Sequence, residues 1–206
     1  MQESAQKQHE LRGGASEEDA ARAMLYGLLA RLLSRSPDRA DLELLQQAVG
    51  GEGGIGAAIA LLGASARTAT VQSAAEEYQG LFVGLGRGEL VPYGSYYLTG
   101  FLQEKPLAKL RRDMAALGVQ GKDDCPDPED HAASVLEVMG GLIDGRFGRR
   151  YDSEAQRVFF DAYLGSWLPV FFGDLEKAKS AQFYRAVGQL GRAFLDVESA
   201  QFRMAA

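Results

Sequence analysis

Apolar residues recur along this chain at intervals of three and four, and hardly anywhere at intervals of two. Ser16, followed by Glu17, Glu18 and Asp19, resembles a capping box with an acidic first turn, and Ala21, Met24, Leu28 and Leu32 then form one stripe. Ser36, Pro37 and Asp38 turn the chain into a shorter helix with Leu42, Leu45 and Val49, closed by glycines at 50, 51, 53 and 54, and a small helix through Ile59 and Leu62 follows. From about Thr70, positions Val71, Ala74, Ala75, Tyr78, Phe82 and Leu85 predict a helix that runs into a loop with Gly84, Gly86 and Gly88. Beyond it, Ser95 is expected to cap a short helix from Tyr96 to Leu102, and Pro106 to open another with Leu107, Leu110, Met114 and Leu117 that Gly118 stops.

Further on, Asp127 reads as a helix cap with Pro128 at the first helical position and Asp130 three residues past the cap, ahead of Val135, Val138 and Leu142. Ser153 with Gln156 forms another box, opening a helix through Phe159, Tyr163, Trp167 and Val170 that Pro169 kinks and Gly173 ends. The last helix carries Phe183, Val187, Leu190, Phe194 and Val197. These elements predict an all-α protein, a compact bundle of some eight or more helices in one domain over residues 16–206, after a polar tail at 1–15 expected to be disordered.

Composition narrows the function. A formal net charge of -6 argues against nucleic-acid binding and makes a basic partner easier to accommodate. Cys125 is the only cysteine, which excludes an internal disulfide and fits a reducing compartment. The longest apolar run, residues 54–64, falls short of the 18 or more that span a bilayer, and the polar start is not a secretory signal, so a cytoplasmic location is expected.

The GLGRG at 84–88 follows a helix rather than a strand, has Glu89 where a third glycine would stand, and lacks the GK[ST] of a P-loop, so it reads as a flexible loop. Asp130 beside His131 suggests general-base or metal chemistry, yet His9 is the only other histidine. No metal or organic cofactor is expected. An all-helical enzyme using Asp130 and His131 stays as an alternative, and helix capping by Asp127 and Asp130 is the plainer one. Tyr78, Leu81, Phe82, Tyr93, Tyr96 and Tyr97 could all be core, but Tyr93 stands in a Gly/Pro loop where exposure is expected, and Phe82 is expected to face inward.

The segment EYQGLFVGLGRGELVPYGSYY at 77–97, followed some thirty residues later by DPEDH at 127–131, resembles the TorD/DmsD family of molybdoenzyme maturation chaperones. The matching residues are Tyr78, Leu81 and Phe82, then Pro92, Tyr93 and Ser95, then Pro128, Asp130 and His131; Asp127 stands where the family has glutamate. The resemblance implies a cytoplasmic, non-enzymatic chaperone that binds the twin-arginine signal peptide of a molybdopterin enzyme's catalytic subunit, assists cofactor insertion and delays export. The implied peptide surface comprises the residues just named with Gly94, Tyr96 and Asp127; Asp127, Asp130, Glu129 and Glu89 are candidate acceptors for the arginines, since carboxylates and an aromatic surface complement a cationic pair and an apolar stretch. A nitrate-reductase type of assembly chaperone, serving an enzyme that is not exported, is the related alternative. Glycine at 84–88 leaves both a monomer and a domain-swapped dimer open.

Overall fold

The computed structural model describes residues 16–102, 105–119 and 127–204; the expected tail and Cys125 lie outside them. Among the described residues ten α-helices follow one another: α1 (Glu17–Ser34), α2 (Arg39–Gln46), α3 (Gly53–Thr68), α4 (Val71–Tyr78), α5 (Gly94–Thr99), α6 (Lys105–Ala116), α7 (Ala132–Asp144), α8 (Ser153–Tyr163), α9 (Leu168–Lys177) and α10 (Phe183–Met204). A π-helical turn, Gln79–Val83, extends α4, and the described residues hold no strand, only an isolated antiparallel bridge between Tyr93 and His131. The protein is all-α, as its periodicity predicts.

The most extensive contact joins α1 to α7, and α10 packs on α9, α3, α1 and α4. The apolar face of α7 is almost continuous, with Val135, Leu136, Met139, Leu142 and Ile143 all buried, which makes it the central element of the core. Burial of such side chains contributes roughly 1.5 to 3 kcal/mol each. Side-chain caps mark several of the helix starts. The Ser16 hydroxyl accepts from the Asp19 amide, Asp38 and Asp41 form a reciprocal box, and Thr70 and Ser73 form another.

Several boundaries and faces differ from the sequence expectation. The inward stripe of α1 runs through Arg22, Tyr26, Leu29 and Leu33, while Met24 is exposed. A local pattern treats Arg22 as a surface residue; here its guanidinium is buried against a carboxylate 176 positions away, Nε to Glu198 Oε1 at 2.7 Å and Nη2 to Oε2 at 2.9 Å, with the Tyr26 hydroxyl donating to the same Oε2 at 2.8 Å. Val49 lies beyond the end of α2, and Val197 points outward from α10. Helix α3 is longer than expected. No box forms at Ser153: the cap is Asp152, which accepts from the Ala155 amide, while Gln156 is buried and donates to the Tyr151 carbonyl. Pro169 does not kink a long helix: it occupies the first turn of α9, where its missing N–H costs nothing, and Gly173 lies inside that helix.

Because Glu198 and Arg22 are both buried, removing either one leaves an uncompensated charge in the core. Glu198→Ala or Arg22→Ala should lower unfolding free energy by about 3 to 5 kcal/mol, whereas the apolar pair Arg22→Met with Glu198→Leu should recover part of that loss, the buried Tyr26 hydroxyl being left without its acceptor. Urea unfolding of the two single variants and the double variant measures this directly.

Candidate functional site

Two segments 35 residues apart in sequence meet at the centre of the candidate site. The Ala132 amide donates to the Pro92 carbonyl at 2.8 Å, the Gly94 amide to the Asp130 carbonyl at 2.9 Å, and the Ser95 amide to Asp130 Oδ2 at 2.8 Å. Pro92 has no amide hydrogen to satisfy, so it can offer its carbonyl here without leaving a donor unpaired. Gly94 lets the backbone pack closely against an indole. A Cβ there would sit 3.1 Å from Trp167 Nε1 and 3.2 Å from its Cε2, with the indole itself held by a 2.7 Å bond to the Tyr163 carbonyl.

This junction corrects two assignments. Helix α7 begins at Ala132, not Pro128: residues 127–130 form a turn, and the cap is His131, whose Nδ1 accepts from the Ala133 amide at 3.1 Å. Ser95 lies inside α5 rather than at its cap, and is buried. His131 is 5% exposed; burial lowers its pKa below the ordinary 6.5, partly countered by Asp127 and Asp130. Asp130 is buried too, at 4% exposure, and its Oδ1 has no hydrogen-bond partner among the described residues.

Tyr93 also departs from expectation. It is half-buried, its ring meets the His131 imidazole edge-on at 5.0 Å, and its hydroxyl donates to Asp127 Oδ1 at 2.6 Å. Burial, then the Asp127 carboxylate, raise the Tyr93 hydroxyl pKa well above 10. A ring placed between Pro92 and Gly94 is thus an integral part of the junction, because the turn at 127–130 supplies an acceptor for its hydroxyl.

On the neighbouring side, the π-turn adds a residue to the last turn of the α4 helix and rotates the pattern. Leu81 becomes fully buried, Phe82 packs partly buried between Tyr78 (5.1 Å) and Tyr184 (5.4 Å), and Leu85, expected on the same stripe, is fully exposed beyond the helix end. Gly84 makes the turn possible at φ +62°, where an added Cβ would overlap the Arg87 carbonyl. Tyr78 donates to the Leu33 carbonyl, and the Arg87 guanidinium lies over the Tyr96 ring at 5.1 Å. Two glutamates then fix this segment to α10. Glu77 accepts from the Gln182, Phe183 and Tyr184 amides, and Glu89 from those of Lys179 and Ser180. The Lys179 amide above all lowers the Glu89 pKa.

The 127–131 turn separates two cavities. One, of about 720 Å³, lies among α5, α6 and α8, is predominantly apolar, and has Asp130 in its wall. The other, of about 280 Å³, is more polar and is lined by Asp127, His131, Ser134 and Glu137 with Arg31 and Arg146. Those two arginines are already paired, Arg31 with Asp41 and Arg146 with Asp144, while Glu137 makes no ion pair among the described residues.

The sequence-derived residues are therefore gathered, with unequal roles. Leu81, Pro92, Gly94, Ser95, Asp130 and His131 are buried and build the site; Tyr78, Phe82, Tyr93, Tyr96, Asp127 and Pro128 keep some surface. Of the four candidate acceptors, Glu89 is spent on the Lys179 turn and Glu129 pairs with Arg111 at 2.8 Å. Glu137, Leu98, Pro106 and Trp167 line the cavities without having been singled out as site residues; Trp167, the only tryptophan, was the one available signal. Among the described residues no group of three His, Cys, Asp or Glu side chains could hold a metal ion, and no single helix is long and apolar enough to cross a membrane.

Comparison with known proteins defines the class. The family model described as nitrate reductase delta subunit matches residues 36–173, and the chain belongs to that family. The chain is similar to the chaperone protein TorD of Vibrio parahaemolyticus, 31% identical over 61% of this chain and 62% of the relative, and to TorD of Shewanella loihica, 27% identical over 86% and 91%. An Archaeoglobus fulgidus protein described as a candidate redox enzyme maturation protein has the same fold, with a TM-score of 0.54 at 18% identity over 85% of this chain and 93% of that one. The TorD-family resemblance read from the 77–97 and 127–131 segments is thus borne out.

His131 must be neutral to cap α7, and its folded pKa is lowered. Its contribution is complete above pH 6.5 and is lost as pH falls through the folded pKa, so stability should decline below pH 6.5. Asn at 131 keeps a capping acceptor without titrating, so melts of His131→Asn should show a shallower decline over the same range. Tyr93→Phe, which removes only the bond to Asp127, should lower stability by about 1 to 2 kcal/mol in chemical denaturation.

Proposed function

We propose that this protein is a non-enzymatic, cytoplasmic chaperone that binds the twin-arginine signal peptide of a molybdoenzyme catalytic subunit until its cofactor is inserted. The observation that carries the reading is the turn at 127–131, which stands between a cavity with available carboxylates and a larger apolar one. A twin-arginine signal offers the complement, a cationic pair followed by an apolar stretch. The arginines fit the side of Glu137 and of Asp127, one oxygen of which takes the Tyr93 hydroxyl, while Arg31 and Arg146 on the same wall are paired with Asp41 and Asp144; Asp130 and Glu89 are engaged in holding the fold. The similarity to TorD chaperones supports a client of this class.

The family description favours a second reading, in which the client is a nitrate reductase subunit that is not exported. The arginines distinguish the two. Calorimetric titration with a complete twin-arginine peptide should give saturable binding that weakens roughly ten- to a hundredfold when both arginines become glutamine, or when the protein carries Glu137→Gln, as expected for charge-assisted bonds worth about 1.5 to 3 kcal/mol. Equal affinity for both peptides would reject the twin-arginine reading and favour the second.

A further inference from the structure

We infer that the outer face of α3 is the contact surface of a two-fold dimer of this chain, in which α3 packs antiparallel on α3 of a second copy and no helix is exchanged. The surface is separate from the junction, since no α3 residue lines either cavity beside the 127–131 turn.

Helix α3 is unusual in composition. Between Glu52 and Arg67 it carries no charged residue, and apart from Ser65 it is apolar on every side. A helix of that kind is normally enclosed by protein. Its inner side is enclosed, with Gly56, Ala58, Leu62, Gly63 and Ala66 buried as α2 and α10 pack on it. Its outer side is bare among the described residues: Gly54, Ala57, Ala60, Leu61 and Ala64 are all exposed. At 3.6 residues per turn they cover about 120° of the helix circumference. The chain at 45–50 runs alongside, since a Cβ at Gly50 would stand 2.6 Å from that of Ala60 and one at Gly63 3.2 Å from the Leu45 carbonyl oxygen. Leu44 and Val49, both exposed, widen the apolar surface on that flank.

This face is complementary to a second copy of itself. Turned end for end about the midpoint between Ala60 and Leu61, the exposed positions 54, 57, 60, 61, 64 and 67 fall on one another. Ala60 then meets the partner's Leu61, and Ala57 meets the partner's Ala64. Small side chains at these positions allow the close approach of roughly 8 to 10 Å between axes that packed helices adopt.

Charge selects the antiparallel arrangement. The Glu52 side chain caps no amide of α3, Arg67 donates to the Gln46 carbonyl, and neither makes an ion pair among the described residues. They stand at opposite ends of the helix, about 22 Å apart along its axis. An antiparallel pair therefore sets each Glu52 beside the partner's Arg67, whereas a parallel pair would set like charges together. A bilayer surface suits the face less well, because it lacks the basic rim and bulky aromatic side chains of interfacial helices and has an acidic residue at its end.

The contact of two 16-residue helices is at the low end of interface sizes, so dissociation constants on the order of 10 μM are expected. Sedimentation velocity of the full-length protein, over concentrations from about tenfold below to tenfold above that value, should show monomer converting to dimer. Ala64→Glu, at an exposed position, should leave the melting curve close to that of the wild type and weaken the dimer roughly tenfold or more, because it places a charge against the partner's Ala57. Adding Ala57→Lys to the same chain should restore association, since residue 57 of each copy then faces an opposite charge at residue 64 of the other. A protein that stays monomeric over the whole range would overturn the inference, as would a dimer that Ala64→Glu leaves intact or a loss that Ala57→Lys does not relieve. Binding of a monomeric wild type to phosphatidylcholine vesicles would overturn it too, and assign the face to a bilayer.

Discussion

The structure around the candidate site depends on one short pairing, in which the backbone at Pro92 and Gly94 bonds to Ala132 and Asp130 and the Asp130 carboxylate receives the Ser95 amide. In an otherwise helical protein this is the place where two loops meet edge to edge, and it sets the starting points of α5 and α7 together. Since α7 is packed into the core against α1, the loop at 92–95 inherits the rigidity of the core. His131 completes the arrangement from within, capping α7 with its own ring while Tyr93 packs against that ring and bonds to Asp127. A site held this way is preorganised, which lowers the ordering cost of binding a flexible peptide.

Carboxylates in this region divide by what they hold. Glu77 binds free amides at the start of α10, where a negative charge is favoured by the helix terminus, and Glu89 binds those of the turn before it, so that the two anchor the π-turn segment to the far end of the chain. Asp130 is half structural, with one oxygen committed and the other unpartnered. Asp127 and Glu137 remain on the polar side of the turn. Fixed anchors on one side and Glu137, unpaired among the described residues, on the other leave two chemically different surfaces separated by a single turn of chain.

Much of the fold was legible because helical periodicity and caps are local properties: Ser16, Asp38, Pro106 and the α7 stripe all mark real elements. What was not legible depends on partners distant in sequence. The inward placement of Arg22 needs Glu198, the burial of Tyr93 needs Asp127, and the misplaced start of α7 follows from Asp130 bonding to Ser95 instead of capping its own helix. The π-turn defeats pattern reading differently, since one extra residue in a turn moves Leu81 inward and Leu85 out. The site segments were recognisable as motifs, yet the cavities beside them are made by residues such as Leu98, Pro106 and Glu137, which carry no distinguishing local signal.

In the function proposed above, a client peptide lies against both sides of the 92–95 and 127–131 junction. Hydrogen exchange measured with and without a complete twin-arginine peptide tests it most directly, because the junction, α5, α6 and the first turns of α7 are separated in sequence from α2 and α3. The account predicts slowed exchange across residues 93–99, 105–112 and 127–137, with α2 and α3 unchanged. Slowing confined to α2 and α3, or none at saturating peptide, would contradict it.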